Sequence, residues 1–157
     1  MVVVTPRSLL RTLAIAEAIT WTLLIGGLIL RAIAGLDTAV SIGGAIHGFV
    51  FLAYGVTAVL VAANQRWSVG VSLLAVGSAV IPYATIPVEL WLARSGRLDG
   101  SWRRAATDDP RDRRVTDRIL RLVLARPCMF AVVATVAVAV VFVVLLSFGP
   151  PQLPTQA

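Results

Sequence analysis

Three ionisable residues stand inside or at the ends of otherwise apolar runs: Glu17, His47 and Glu89. His47 is the sole histidine, set in Gly43-Gly44-Ala45-Ile46-His47-Gly48. A carboxylate beside an imidazole can relay a proton or bind a cation. Such groups within hydrocarbon are costly without partners, which makes them functional suspects. The plainer alternative is a buried hydrogen-bonded pair that fixes helix register. At a rise of ~1.5 Å per residue, Glu17 lies roughly 8–10 Å from the amino-terminal side, and His47 roughly 10–12 Å from the opposite side. That offset of about 10 Å predicts His47–Glu89 as the better pair, with Glu17 joining through water, Thr20 or Tyr54. Trp21, Phe49, Phe51 and Tyr54 could line a lipid or quinone pocket, although core or lipid-facing aromatics are commoner.

Other chemistries find no footing. One cysteine and one histidine exclude an intrachain disulfide, bis-histidine haem ligation and a His/Cys metal cluster. There is no Gly-rich phosphate loop and no Ser/His/Asp order. No cofactor or metal is expected, and an enzyme has the weakest support. Cys128, at the edge of a run, reads as a buried small residue rather than a nucleophile.

The elements that must hold these residues are membrane helices. Of 157 residues, 58% are hydrophobic and 14% charged, against about 25% charged in soluble domains. Apolar runs cover Thr12–Leu30, Ala39–Ala63, Ser68–Leu92 and Pro127–Phe148, each long enough for a core of about 30 Å. The expectation is an all-α polytopic protein: four transmembrane helices in a bundle, plus an amphipathic interfacial helix between spans three and four. By segment, 1–98 is a three-helix membrane domain, 99–126 an arginine-rich connection, 127–149 the fourth helix and 150–157 a disordered tail. A cleaved signal peptide is the rival reading of the first run. It conflicts with that run's length, with Glu17 inside it and with Arg31 before the small-residue site.

Glycines at helical spacing mark close contacts: Gly44 and Gly48, then Gly55, with Gly70 and Gly77 in the third helix and Gly26-Gly27 in the first. Pro82 and Pro87 should kink the third helix. All 14 basic residues are arginine, and ten fall between Arg94 and Arg126. There Val115, Ile119, Leu122 and Val123 share a face, with Arg111, Arg114, Arg118 and Arg121 mostly away from it. With Arg113, these arginines are candidates for docking anionic lipid headgroups or a protein partner. Nucleic acid is not an expected partner. With four spans, the heavier arginine side opposes the amino terminus, so the positive-inside rule and the weight of the first helix conflict.

Residues from about Arg11 to Leu98 resemble a family of small bacterial integral membrane proteins named for a His-Gly motif, catalogued as a domain of unknown function and widespread in actinobacteria. The resemblance rests on Glu17-Ala18-Ile19-Thr20, on Ile42 to Gly48 with Tyr54, on Arg66-Trp67-Ser68, and on Pro82 through Pro87-Val88-Glu89. It implies a bacterial plasma membrane, three spans and an inside amino terminus, and supplies no activity. It says nothing of residues 99–157.

Two functions follow. The first is a non-enzymatic accessory or interaction subunit of a larger envelope or respiratory assembly, with other membrane subunits as partners. The second is a small carrier or channel moving a proton, cation or lipid-like solute past His47, Glu17 and Glu89.

Overall fold

The computed structural model describes residues 4–147; the tail expected to be disordered, 150–157, lies outside the described residues. Among these residues the chain is helical, without strands. Helix α1 (Pro6–Ala34) opens on a capping box, in which the Thr5 hydroxyl accepts from the Ser8 backbone N–H and the Ser8 hydroxyl accepts from that of Thr5. It closes at Gly35, left-handed at φ 66°. Helix α2 (Asp37–Gln65) starts at once, with Arg31 and Asp37 paired at 3.0 Å across the turn. Both helices are long and apolar enough to cross a membrane.

The α1–α2 seam is set by two glycines. A Cβ on Gly27 would stand 2.8 Å from the Ala39 carbonyl oxygen, and one on Gly43 would stand 2.9 Å from that of Leu23. Of the glycines expected to mark close contacts, Gly44 faces only the Leu24 side chain at 3.8 Å, and Gly48 is half-buried. A Cβ at Gly26, Gly55, Gly70 or Gly77 would meet nothing within 4 Å. The contact stripe passes one residue before Gly44 because Gly43 and His47, four apart, share a helix face.

The third apolar run is not one kinked span. Helix α3 (Val69–Gly77) continues into a 3-10 turn, Ser78–Val80, and the chain then turns through Ile81–Ala84 into helix α4 (Thr85–Arg94). Pro82 occupies the second place of that turn and Tyr83 the third, at φ 65°, with Ala84 N–H bonded to the Ile81 carbonyl at 3.1 Å. Pro87 falls in the first turn of α4, where its missing N–H matters little. The reversal is complete: the Trp67 indole N–H before α3 donates to the Arg97 carbonyl after α4 at 2.9 Å. The turn itself reaches mid-height of α1, where the Tyr83 and Thr22 hydroxyls lie 3.3 Å apart. The pair therefore enters and leaves at one end of the α1–α2 hairpin.

That end also carries the amino terminus and the arginine-rich segment, which the four-span expectation had put on opposite sides. The Trp102 indole N–H donates to the Val4 carbonyl at 2.9 Å. Arg66 binds Asp109 and Asp112 at 2.7 and 2.6 Å, and Arg103 binds Asp117 at 3.0 Å. Arg121, expected to face headgroups, instead donates to the Asp112 backbone carbonyl at 2.6 Å. Arg111, Arg113, Arg114 and Arg118 are exposed.

Helix α5 (Val115–Ala125) buries Leu120 and leaves Val115, Ile119 and Leu122 outward. Helix α6 (Pro127–Ser147) follows at a bend of 102° and packs on α2. By length and apolarity, two helices among the described residues can cross a membrane, or three if the α5–α6 pair counts as one span. Cys128, expected to be buried, is exposed at the start of α6.

Candidate functional site

The α1–α2 register brings Glu17, Thr20 and Trp21 onto the face opposite His47. Glu17 is fully buried, and its Oε2 lies 3.6 Å from His47 Nδ1. The Thr20 hydroxyl lies 3.2 Å from the same nitrogen while donating to the Glu17 carbonyl at 3.0 Å. Trp21 and Phe51 flank the imidazole, with ring centroids 4.4 and 6.1 Å away. The expected His47–Glu89 pair is thus replaced by His47–Glu17. Depths counted from the ends of apolar runs failed because α1 overshoots the start of α2. Gly27, not the helix end, stands level with Ala39.

Glu89 is buried on α4, one turn beyond Thr85, whose hydroxyl donates to the Ala14 carbonyl at 3.1 Å and fixes α4 against α1. One oxygen of the Glu17 carboxyl and one of the Glu89 carboxyl, Oε1 in both, is buried and has no hydrogen-bond partner among the described residues. The Tyr54 hydroxyl donates to the Ala75 carbonyl at 3.0 Å and meets Ser78 Oγ at 3.2 Å. Trp21 donates its indole N–H to the Ala79 carbonyl at 3.3 Å. Tyr54 and Trp21 therefore satisfy carbonyls that the broken α3 helix leaves open, as apolar surroundings demand.

Thr85, Ser78 and the pairing role of Trp21 escaped sequence reading. For Ser78 and Thr85 the signal is a single small hydroxyl residue on each side of Pro82, within an otherwise apolar run. The Arg66–Asp109–Asp112 contacts also escaped it. There the signal is five aspartates interleaved with the arginines, more than a free cationic surface needs. Hydrogen bonds from the Thr107 backbone N–H and hydroxyl, and then the Arg66 and Arg121 charges, hold the Asp112 carboxyl below its ordinary value.

Residues 7–94 match the family model of a domain of unknown function, DUF3817. The chain belongs to this family. The DUF3817 stretch contains Glu17, Thr20, His47, Tyr54 and Glu89, and it ends where α4 ends. The arginine-rich segment, α5 and α6 lie beyond it. Over 88 residues the chain is 40% identical to a Streptomyces coelicolor protein whose name describes it as a membrane protein. The matched part is 55% of this chain and 10% of that protein, so the chain spans about one tenth of that relative's length. No solved structure matches.

Proposed function

We propose that this is a non-enzymatic, multi-pass protein of a bacterial plasma membrane that takes up and releases a proton at the Glu17–His47 pair. The observation that carries the reading is the 3.6 Å approach of Glu17 Oε2 to His47 Nδ1, with Glu17 Oε1 buried and, among the described residues, without a hydrogen-bond partner. A carboxyl and an imidazole at that separation can exchange one proton through the Thr20 hydroxyl once it turns from the Glu17 carbonyl to Glu17 Oε2, 3.5 Å away. A proton suits the site better than a coordinated metal. Among the described residues no three His, Cys, Asp or Glu side chains converge as ligands.

On this reading α1, α2 and α6 cross the bilayer, and α3–α4 is a re-entrant pair. Broken helices at membrane depth are tolerated where protein or a cavity surrounds them, and they accompany ion sites. Helix α5 lies in the interface, with Val115, Ile119 and Leu122 toward acyl chains and Arg111, Arg113, Arg114 and Arg118 toward anionic headgroups. Every arginine but Arg31 then shares one side. The positive-inside rule and the first-helix preference agree, and they place that side in the cytoplasm.

The test is proton flux into liposomes loaded with a pH-sensitive dye. Wild type should dissipate an imposed pH gradient, with Glu17→Gln and His47→Ala each abolishing the flux. Equal flux in all three would remove the reading.

An accessory subunit of a larger membrane assembly is the second reading. Its support is the outward row on α6, where Val132, Val133, Val136 and Val140 are each more than half exposed. Lipid tails satisfy the same row, so this reading ranks below the first. Co-purification of a stoichiometric partner chain from native membrane would reverse that order.

A further inference from the structure

On the face of α2 away from the α3–α4 pair, the amino-terminal part of α1 and the first half of α6 enclose a cleft of about 470 Å³. That volume falls within the ~300–1,000 Å³ of small-molecule sites. Its walls include Leu13, Ala53, Phe130 and Ala134, and its polar surface is small. Its rim at the arginine-bearing end holds Trp102 and Arg104. Trp102 is pinned by its bond to the Val4 carbonyl, and the Arg104 backbone N–H bonds the Trp102 carbonyl at 3.0 Å. The rim is therefore fixed to the α1 terminus.

Arg104 differs from its neighbours. Arg66, Arg103 and Arg121 all engage the aspartates of the same segment. Arg104 is exposed, and among the described residues its guanidinium makes no ion pair. An apolar cleft between membrane helices with one unpaired cation at headgroup level is complementary to a lipid carrying negative charge. An indole at the same level suits the interface.

We propose that this cleft holds one acyl chain of an anionic glycerophospholipid, with Arg104 on its phosphate. The lipid fills space that would otherwise separate α6 from α1, and so ties the added helix to the DUF3817 stretch. The site is separate from the Glu17–His47 pair and stands whether or not that pair moves protons.

Native mass spectrometry of the full chain, released from micelles containing phosphatidylglycerol or phosphatidylcholine, tests it. Wild type should retain one phosphatidylglycerol. Arg104→Gln should weaken that retention roughly fivefold, while phosphatidylcholine is held equally weakly by both. Ala134→Phe, which fills the cleft, should abolish retention; should it fail to fold, the exposed Arg104→Gln change carries the comparison alone. Phosphatidylglycerol retention indifferent to Arg104→Gln, or surviving in folded Ala134→Phe, would overturn the assignment. Full displacement by an equimolar free fatty acid would likewise overturn it.

Discussion

Trp67 and Arg97, thirty positions apart, are joined by one hydrogen bond of 2.9 Å from indole to carbonyl. That bond closes the loop made by α3, the Ile81–Ala84 turn and α4. Whatever lies before Trp67 and after Arg97 is thereby held at the same end of the molecule.

Side-specific labelling of single cysteines in a Cys128→Ser background checks this directly. Cysteines at Arg7 and Asp99 should react with an impermeant maleimide from one face of oriented vesicles, and one at Asp37 only from the other. If position 99 reacts together with position 37, residues 69–97 cross the bilayer and the re-entrant arrangement is wrong.

Gly43 and Gly27 leave no room for a side chain, since the nearest atoms are backbone carbonyls. Gly43→Ala should destabilise by about 1–3 kcal/mol, the range for overpacking. Gly77→Ala should be neutral or slightly stabilising, because the last residue of α3 has right-handed helical backbone angles and a Cβ there meets nothing within 4 Å. Thermal unfolding in detergent would read both, and equal shifts in the two variants would contradict the seam described above.

Removing the Tyr54 hydroxyl leaves the Ala75 carbonyl bonded by Ser78 alone. Tyr54→Phe should therefore lower stability by about 0.5–1.5 kcal/mol. Trp21→Phe should do more harm, because among the described residues no other side chain donates to the Ala79 carbonyl. Hydrogen exchange at residues 78–84 is the sensitive readout, and it should rise more in Trp21→Phe than in Tyr54→Phe.

The aspartate–arginine contacts make docking of the 99–114 segment acid-sensitive. The Asp112 carboxyl titrates below its ordinary 3.8 in the folded chain, held there first by the Thr107 hydrogen bonds. Its contribution is thus fully present above that ordinary value and is lost as pH falls through the lower folded one. Trypsin sensitivity between Arg103 and Arg114, compared after brief exposure to pH 7, 4 and 2.5, should rise only at the most acidic step. In Asp112→Asn it should be high already at pH 7.

Sequence made the helical class, the two long spans and the polar residues plain. Hydropathy, the lone histidine and the shared spacing with its family all survive without coordinates. Other features depend on a register that no count along the chain supplies. Glu17 and His47 meet because α1 runs past the beginning of α2, an overshoot decided by the Gly27 and Gly43 contacts. The third run has the length of a span, and only tertiary bonds show that it doubles back. Pro82 announced a break but not its angle. Arg121 looked like a headgroup ligand on a helical projection, whereas nearby aspartates draw it inward.

The brevity of α3 and α4 bears on how the chain is made. Neither nine nor ten helical residues can hold a place in a bilayer unaided, and their open carbonyls take donors from Tyr54 and Trp21. If α3–α4 is re-entrant, as proposed above, the hairpin of α1 and α2 would have to be inserted and paired before this segment could tuck in from the side where it was synthesised. Maturation would then be ordered in time, with the short segment waiting at the surface until its berth exists.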